Sequence, residues 1–374
     1  MSKIKVLELI DRGFLGGGQA NVLSIARKIN KEKYDISIAA KGGGAFEQEA
    51  AKCNISFTPL FMPKMLRTKY LKYLQILYAS EKFELIHTHG GVAGFYGRTL
   101  KKHNPELKCV HTIHGIHYTH SNNFIKRNLS KTIEQYLVQY TDKTICVSRT
   151  DLESALKYKI ADRDKAVVIP NGIDLSKFSN KKKNFELINQ LGLNEHNFII
   201  GNVSRFDIQK NQKLIIQSAY FLVKKYPQMR FIFVGGGDLL PQMKQLVRES
   251  KLEDYIIFTG EQNDSAEYYS IFDLFVFPTL WEGMPYVLLE AMASRLPIIC
   301  SSIPGILEII KPNHSALTFN PYDMDDLFQK ISVLYQNNEM REELAQNAMI
   351  ESTQYDETEI VPKIERVYEE VMAG

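Results

Sequence analysis

The stretch Lys5–Ile29, KVLELIDRGFLGGGQANVLSIARKI, decides the fold class. An apolar run of strand length, Lys5–Ile10, is followed by the glycine-rich turn Gly16–Gly18 and then by the amphipathic helical pattern Ala20–Ile29. The same order of strand, turn and helix recurs along the chain. Strands that alternate with helices form parallel sheets covered by helices on both faces. The sequence therefore predicts an α/β protein with doubly wound sheets.

The alternation divides into two units of similar size. The strand-like runs of the first unit are Lys5–Ile10, Ile36–Ala40, Leu85–Thr88, Lys108–Ile113, Lys143–Val147 and Ala166–Ile169. The turn-forming residues 170–172, Pro-Asn-Gly, then interrupt the pattern. The second series of runs is Phe198–Val203, Phe231–Val234, Ile256–Thr259, Leu274–Phe277, Ile298–Cys300 and Ala316–Phe319. The tail, residues 354–372, has the apolar spacing of a helix that needs a surface to pack on.

The composition excludes several classes of protein. The chain is 44% hydrophobic and 24% charged, which excludes a disordered chain, a coiled coil and a collagen-like fibre. None of the four cysteines forms a CxxC pair, so we expect free thiols in a reducing compartment. The first ten residues lack the features of a signal peptide, and no apolar run reaches the about 20 residues of a spanning helix. We therefore expect a cytoplasmic protein.

The formal net charge of +3 conceals two oppositely charged halves. Residues 1–175 hold 27 Lys and Arg against 16 Asp and Glu, a balance of +11, so the remainder carries −8. Such a division indicates different partners for the two halves, although drift of the surface charge would produce it as well.

Two segments suit a phosphate ligand. Gly16 and Gly17 lie between the first strand and the first helix, where the backbone can approach an anion at a helix N-terminus. Such a turn is equally common for structural reasons. Arg205 follows the first strand of the second unit, and Lys210 precedes the next helix. Ligands of open α/β sheets bind at the carboxyl ends of the strands, and two cations there suit a diphosphate unless both are simply solvated.

The segment Trp281–Ala293, WEGMPYVLLEAMA, carries the strongest indication of a site. Pro285 fits the first position of a helix, where no N–H group is needed. The amides of Met284–Val287 are then expected to point out of the helix start, toward a phosphate. Glu282 and Glu290 bracket this start. Carboxylates there can accept hydrogen bonds from paired sugar hydroxyls, or they can simply complement the helix dipole.

Taken together, these motifs resemble those of the retaining glycosyltransferases of family 4, which have a GT-B fold and an E-x7-E motif. The resemblance covers nearly the whole chain and depends on the order of the motifs, which are Gly16–Gly17, Pro170–Asp174, Arg205 with Lys210, Val234–Asp238 and Glu282 with Glu290. It implies two doubly wound, Rossmann-like domains that face each other across a cleft. Residues 1–172 with the C-terminal helix in 354–374 would form the acceptor-side domain, and residues 173–353 would form the donor domain.

The resemblance also assigns roles to residues. Arg205 and Lys210 would hold the donor diphosphate and stabilise the leaving group, while Glu290 would bind the ribose hydroxyls. Glu282 would contact the transferred sugar. His114 matches the active-site histidine of the family, although many relatives have His-Asp where this chain has His-Gly. The implied catalytic set is His114, Glu282, Arg205 and Lys210, and the implied donor-binding set is Gly16, Gly17, Arg205, Lys210, Gly283, Met284, Pro285, Tyr286, Val287 and Glu290.

The implied reaction transfers a hexose or N-acetylhexosamine from a nucleotide diphosphate sugar to an acceptor hydroxyl, with retention of configuration and without a metal cofactor. UDP-sugars are the commonest donors in the family, and the acceptor is often a lipid-linked or cell-envelope glycan or a glycolipid. Other classes stay open. A nucleotide-sugar epimerase or hydrolase of the same architecture would consume the donor without an acceptor. A non-catalytic sugar-nucleotide-binding protein is expected to lack part of the charged set that this chain carries in full.

Seven of the nine histidines lie close together in the sequence, namely His87, His89, His103, His111, His114, His117 and His120. Their spacing is compatible with a metal site, and a metal-dependent hydrolase built on these histidines is therefore another alternative. No cysteine or carboxylate is obviously spaced to complete a ligand set, so we expect no metal. The run Asp323–Asp326 mimics the D-x-D metal motif of another glycosyltransferase architecture. Because it precedes the helical run Leu327–Tyr335, we expect it to cap a helix instead.

The segment Lys64–Leu74, KMLRTKYLKYL, mixes cations with aromatic and aliphatic side chains. Such a segment can lie on an anionic membrane, or it can be an amphipathic helix with a solvated basic face. An anionic membrane surface contacted through the N-terminal domain, at the inner face of the cell membrane, is therefore one candidate partner. The chain has no recognisable nucleic-acid-binding motif, so we expect no nucleic acid partner.

Overall fold

The computed structural model describes residues 3–64, 67–116, 124–179, 182–262 and 264–374. The chain divides into two compact units, Met1–Ile173 with Tyr355–Gly374 and Asp174–Gln354. Each joint between them lies one residue from the position that the resemblance implies.

The first unit is built on a parallel sheet. Its described strands are β1 (Ile4–Ile10), β2 (Tyr34–Ala40), β3 (Ser56–Pro59), β4 (Leu85–His89), β5 (Lys108–Ile113), β6 (Lys143–Cys146) and β7 (Ala166–Val168). Their order across the sheet is β3-β2-β1-β4-β5-β6-β7, and each neighbouring pair is parallel. The direction of winding reverses between β1 and β4, which makes that position the topological switch point of a doubly wound sheet.

The second unit repeats this arrangement. Its described strands are β8 (Phe198–Val203), β9 (Met229–Val234), β10 (Ile256–Gly260), β11 (Leu274–Phe277), β12 (Ile298–Ser301) and β13 (Leu317–Phe319). They are all parallel, in the order β10-β9-β8-β11-β12-β13. The switch point therefore lies between β8 and β11.

Helices connect the strands of both units. Those of the first unit are α1 (Gly17–Lys28), α2 (Ala45–Lys52), α3 (Thr68–Glu81), α4 (Gly90–His103), α5 (Phe124–Leu137) and α6 (Arg149–Lys157). Those of the second are α7 (Leu175–Phe178), α8 (Phe185–Gln190), α9 (Gln212–Lys225), α10 (Leu240–Glu249), α11 (Ala266–Tyr269), α12 (Tyr286–Ala293), α13 (Pro304–Leu307), α14 (Met324–Gln336) and α15 (Asn338–Ser352). The last helix, α16 (Glu357–Ala373), belongs to the first unit. The predicted α/β class with two doubly wound sheets is confirmed.

Strand β3 is the one described strand that the sequence pattern does not predict. It is four residues long, lies at the edge of its sheet, and is half-buried or exposed throughout. An edge strand pairs on one side alone, so it does not need a long apolar run and it tolerates a terminal proline such as Pro59.

The C-terminal helix α16 packs on the first unit through its apolar face. The buried side chains on this face are Ile360, Val361, Ile364, Val367, Tyr368 and Val371, and they share one core with Val6, Ile25, Tyr34, Leu85 and Val110. Arg27 on α1 donates to Glu357 across 3.0 Å at the helix start. The amphipathic tail therefore has the partner surface that its spacing requires.

Within the parts of the chain that the structure describes, each helix is too short or too polar to span a lipid bilayer.

Candidate active site

The switch point of the second sheet gathers three loops. Arg205 and Lys210 follow β8, the glycines 235–237 follow β9, and Trp281–Val287 follow β11. Because β9, β8 and β11 are neighbours and parallel, their carboxyl ends meet at one edge of the sheet. The sheet thus brings together three segments that lie far apart in the sequence, between Arg205 and Val287.

Arg205 is held by a carboxylate two residues away. Its Nε and Nη2 atoms donate to Asp207 Oδ2 across 2.8 and 2.5 Å. The other oxygen of Asp207 accepts from the backbone N–H of Lys210 at 3.2 Å and so starts the short 3-10 turn Ile208–Lys210. The Arg205 side chain is 48% exposed, so its guanidinium is oriented by Asp207 and still accessible.

Two glycines let the loop after β9 approach the Arg205 loop. Gly235 has φ +142°, and a Cβ there would lie 2.2 Å from the carbonyl oxygen of Ser204. A Cβ on Gly237, at φ +138°, would lie 2.5 Å from the carbonyl oxygen of Phe206. These backbone conformations and close approaches require glycine. The glycines of the motif Val234–Asp238 therefore allow the backbone contacts that hold the Arg205 loop in position.

Lys210 and Glu282 form an ion pair between the loops after β8 and β11. The same oxygen of Glu282 accepts a hydrogen bond from Thr279 Oγ1 at 2.8 Å. The side chains of Lys210 and Glu282 are 16% and 8% exposed, so the pair is mostly removed from water. Gln209 ties the two loops again, because its side-chain amide donates to the Trp281 carbonyl at 2.6 Å.

The helix start after β11 differs in one detail from the prediction. Helix α12 begins at Tyr286, so Pro285 is its N-cap residue with extended backbone (φ −78°, ψ 123°) and not the first helical residue. The Pro285 carbonyl accepts from the Leu288 N–H at 3.2 Å and closes the first turn. The first N–H groups of a helix point out of its N-terminus, and in α12 that end is the segment beginning at Tyr286.

The loop of Glu282 and Gly283 is buttressed by helix α13. A Cβ on Gly305 would lie 2.2 Å from the Glu282 carbonyl oxygen and 2.8 Å from that of Gly283. Only a glycine at position 305 allows this contact between two backbones. Met284 and Tyr286 are buried at the same place.

Glu290 is half-buried on α12 and accepts a hydrogen bond from Tyr269 Oη at 2.8 Å. Tyr269 Oη also contacts the Val287 carbonyl at 3.2 Å. Burial raises the pKa of Glu290 above its ordinary value, against the opposing effects of the Tyr269 hydrogen bond and the nearby Lys177 charge. The structure thus couples Glu282 to Lys210 and gives Glu290 a separate partner.

In the first unit, Gly16 and Gly17 lie at the switch point beside β1. Gly16 is the N-cap of α1 and Gly17 its first residue. His114 follows β5, and its Nε2 atom lies 4.0 Å from where a Cβ on Gly18 would be. The predicted glycine turn and the predicted histidine are therefore close neighbours.

A carboxylate that the spacing in the sequence does not reveal accompanies the histidines. Glu8, in the middle of β1, is fully buried and lies beside His87 and His89 of β4. Its Oε2 accepts from His89 Nε2 at 2.6 Å, and its Oε1 accepts from Tyr368 Oη of α16 at 2.7 Å. One ligand atom from each of Glu8, His87 and His89 lies within 4.8 Å of the others, close enough to hold an ion.

The remaining ring nitrogens of this cluster have protein partners. His87 Nδ1 contacts Tyr368 Oη at 2.6 Å and its Nε2 contacts Thr112 Oγ1 at 2.7 Å, while His89 Nδ1 contacts His114 Nε2 at 3.0 Å. The cluster is thus satisfied as a hydrogen-bond network. His111 is buried against Thr88, at 2.8 Å, and His103 ends α4. The predicted cluster members His117 and His120 lie outside the described residues.

Burial governs the charge of the network. Burial alone would raise the pKa of Glu8. The nearby His87 and the hydrogen bonds from the His87 and His89 rings outweigh burial and hold the pKa of Glu8 well below its ordinary value. Burial, with His87 next, lowers the pKa of His89 to about 4. At neutral pH the network therefore contains an ionised Glu8 and an uncharged His89.

Asp323 caps α14, as predicted. Its Oδ1 accepts from the backbone N–H groups of Asp325 and Asp326, both at 3.0 Å. The acidic run serves the helix N-terminus.

Comparison with known proteins identifies the family. Two family models match: Glycosyltransferase Family 4 over residues 15–177, and Glycosyl transferases group 1 over residues 183–350. The UDP-Gal:alpha-D-GlcNAc-diphosphoundecaprenol alpha-1,3-galactosyltransferase of Escherichia coli is 29% identical, with 88% of this chain and 87% of the relative covered. The alpha-monoglucosyldiacylglycerol synthase of Streptococcus pneumoniae is 27% identical over 72% of this chain and 64% of its own.

The fold is also that of a solved structure. HepE of Anabaena in complex with UDP-glucose matches with a TM-score of 0.86 at 20% identity, covering 98% of this chain and 100% of its own. The two parallel-sheet domains are thus of the GT-B type. Since the two family models together span most of the sequence, the chain belongs to the family 4 glycosyltransferases and is a glycosyltransferase enzyme.

Proposed function

We propose that the chain transfers a hexose or N-acetylhexosamine from a UDP-sugar to a hydroxyl of a lipid-linked glycan, with retention at the anomeric carbon. The observation that carries the proposal is the convergence of Arg205, Lys210 and Glu282 at the switch point of the second sheet. This is where doubly wound sheets bind nucleotides. The second unit is accordingly the donor domain, and the first is the acceptor-side domain.

The two cations suit a leaving diphosphate. A guanidinium has five N–H donors, and Asp207 accepts from the Nε and Nη2 atoms of Arg205, which leaves the other donors for phosphate oxygens. Lys210 adds a compact charge held by Glu282. Because both are already oriented by carboxylates, little reorganisation accompanies the reaction. With this charge supplied by the protein, the reaction needs no metal cofactor.

The other predicted residues suit parts of the donor, each within its own unit. Glu290 would accept from the ribose hydroxyls, and the hydrogen bond from Tyr269 gives its carboxylate a fixed orientation. Glu282 and His114 would contact the transferred sugar. The N–H groups at the α12 start, preceded by Gly283, Met284 and Pro285, favour a phosphate or a sugar oxygen, as do Gly16 and Gly17 at the start of α1.

In the proposed reaction the bond between the anomeric carbon and the diphosphate oxygen breaks. The acceptor oxygen bonds to the same face of the anomeric carbon, and its proton moves to the departing phosphate, so UDP leaves. Positive charge on the sugar and negative charge on the diphosphate both develop in this step. Glu282 stabilises the first, and Arg205 with Lys210 stabilises the second.

The acceptor proposal draws on the galactosyltransferase relative, whose name specifies GlcNAc-diphosphoundecaprenol. The monoglucosyldiacylglycerol synthase also acts on a lipid, as its name states. The UDP proposal draws on the HepE structures, which contain UDP and UDP-glucose. We therefore propose a sugar linked to a polyprenyl diphosphate as the acceptor.

A transfer assay tests the proposal. Purified protein is incubated with UDP-galactose, UDP-glucose or UDP-N-acetylglucosamine and a synthetic polyprenyl-diphosphate GlcNAc, with EDTA present. UDP and an α-linked product should form together, and neither should form without the acceptor. Donor consumption without the acceptor would favour the epimerase or hydrolase, and activity that EDTA abolishes would contradict metal independence.

Exposed apolar side chains support a membrane surface on the first unit. On α5, Phe124, Ile125 and Leu129 are 64%, 77% and 59% exposed. In the basic segment predicted for this role, residues 68–74 belong to α3, whereas residues 65 and 66 lie outside the described residues. On α3, Tyr73 and Ile76 are exposed as well and Lys69 lies over the Tyr73 ring. The membrane surface stays a proposal for this unit.

Co-sedimentation with vesicles tests it. The chain should bind anionic vesicles more than neutral ones, and Ile125→Ser should weaken that binding while leaving the thermal stability unchanged, because the side chain is largely exposed. Equal recovery with both vesicle types would contradict the proposal.

A further inference from the structure

A chain of hydrogen bonds leads from a buried carboxylate to His114. Glu8 Oε2 lies 2.6 Å from His89 Nε2, and His89 Nδ1 lies 3.0 Å from His114 Nε2. Glu8 and His89 are almost completely removed from solvent, whereas His114 is half-buried. The three residues come from β1, β4 and the loop after β5, which are neighbours at the switch point of the first sheet.

The chemistry of the groups fixes where each proton lies. A carboxylate can only accept, so the Nε2 atom of His89 carries a hydrogen. His89 is uncharged at neutral pH because burial disfavours its cation and lowers its pKa to about 4. Its Nδ1 is therefore an acceptor, and the hydrogen in the contact with His114 belongs to His114 Nε2.

We propose that Glu8 and His89 are positioning residues for His114: they hold the hydrogen on its Nε2 and fix the orientation of its ring. The inference deepens the proposed function and rests on it for the role of His114. Any positive charge that develops on the His114 ring during transfer would be stabilised by the Glu8 charge at the other end of the relay.

The C-terminal helix contributes to the same carboxylate from the other side. Tyr368 Oη of α16 donates to Glu8 Oε1 at 2.7 Å and contacts His87 Nδ1 at 2.6 Å. Tyr368 is thus a partner of Glu8 but lies outside the path from Glu8 to His114. This arrangement offers a matched control, since Tyr368→Phe removes a hydrogen bond from the same network without interrupting the relay.

Two variants interrupt the relay. His89→Phe removes both ring nitrogens and keeps a planar ring, and Glu8→Gln removes the charge at nearly constant volume. For each we expect kcat to fall about 10- to 100-fold, the range typical of partners that orient a functional histidine, with the KM for the donor unchanged. Tyr368→Phe should keep kcat within about threefold of the wild type, because its effect falls on stability.

A double-mutant cycle separates positioning from a structural effect. If His89 acts through His114, the double variant His89→Phe/His114→Ala should lose no more activity than His114→Ala alone. Losses that multiply would overturn the inference, as would wild-type kcat in both Glu8→Gln and His89→Phe. Full activity of His114→Ala would instead refute the proposed role of His114 and the relay with it.

A measurement on the wild type needs no variant of Glu8 or His89, and it uses His114→Ala only to assign one resonance. In ¹⁵N-histidine-labelled wild type, long-range ¹H–¹⁵N NMR reports the tautomer of each ring, and the His114 resonance is assigned by its loss in His114→Ala. We expect the Nε2–H tautomer at neutral pH. The Nδ1–H tautomer would overturn the inference even if transfer activity is found, and the Nε2–H tautomer would support it even if the donor or acceptor proves different.

Discussion

Replacing Lys210 with methionine tests the donor site through activity and stability together. The variant keeps the length of the side chain and removes the charge that we place against the donor diphosphate. Two unit charges ~4 Å apart interact by ~4 kcal/mol at the effective dielectric of a protein surface. Since part of that interaction is present in the ground state, we expect kcat to fall by about 100- to 1,000-fold, as when a preorganised transition-state donor is removed elsewhere.

The stability change follows from the burial of the pair. Lys210→Met leaves the Glu282 carboxylate, 8% exposed, without its cation but with the Thr279 hydroxyl at 2.8 Å. Removing one partner of a fully buried pair costs about 3–5 kcal/mol. Because this pair retains some exposure and one hydrogen bond, we expect a loss of about 1–2 kcal/mol. The double variant Lys210→Met/Glu282→Gln should recover most of the stability and none of the activity.

Two further variants complete the comparison. Arg205→Ala should lose activity to a similar extent with less than about 1 kcal/mol of stability, because the Arg205–Asp207 pair is largely exposed. Arg248→Ala, on the exposed face near the end of α10, should change neither. UDP release at saturating acceptor measures kcat, and urea unfolding measures stability. Wild-type turnover of Lys210→Met or Arg205→Ala would refute the assignment of the diphosphate site.

Three other predictions follow from individual contacts. Glu290→Gln should raise the KM for the natural donor by about 10- to 100-fold, because hydrogen bonds to a charged group are lost. The KM for a 2′-deoxy donor should change less. Equal effects on both donors would contradict the placement of Glu290 at the ribose. Gly305→Ala should lower transfer by about 10- to 100-fold and also lower the melting temperature, because its Cβ would displace the carbonyl of Glu282; an unchanged rate would show that the loop tolerates the shift. The pKa of Glu290 is raised on folding, so its contribution to stability is present below its ordinary pKa and is lost as the pH rises through the folded-state pKa. The pKa of Glu8 is lowered on folding, so its contribution is present above its ordinary pKa and is lost as the pH falls. Urea unfolding between pH 3 and 7 should therefore show opposite pH dependences for the stability lost in Glu290→Gln and in Glu8→Gln, and parallel curves would contradict the two environments.

The architecture can be predicted from the sequence because each strand is recognisable from a short stretch of residues. A buried parallel strand is a short apolar run, and the chain presents such runs at Lys108–Ile113, Phe198–Val203 and Leu274–Phe277 with the bounds that the structure has. The positions of Arg205 and Glu282 follow from the same rule, since each lies just beyond a strand and the carboxyl ends of neighbouring parallel strands meet.

Contacts between distant residues could not be predicted in this way. Glu8 stands in an apolar run, and its partners His89 and Tyr368 are 81 and 360 residues away. A single carboxylate inside a predicted buried strand is nevertheless an indication of a buried polar network, because an unpaired charge there is costly. The N-cap position of Pro285 could not be predicted, because proline is typical of the next position and a helix boundary is defined only to within one or two residues.

Binding of UDP tests the central claim most directly, because it needs neither the sugar nor the acceptor. Titration calorimetry on the full chain should detect UDP binding by the wild type and by Arg248→Ala with the same affinity. Arg205→Ala should bind at least about tenfold more weakly, since each charge-assisted hydrogen bond to a phosphate contributes about 1.5–3 kcal/mol. Wild-type affinity for UDP in Arg205→Ala would contradict the placement of the donor diphosphate at the switch point of the second sheet.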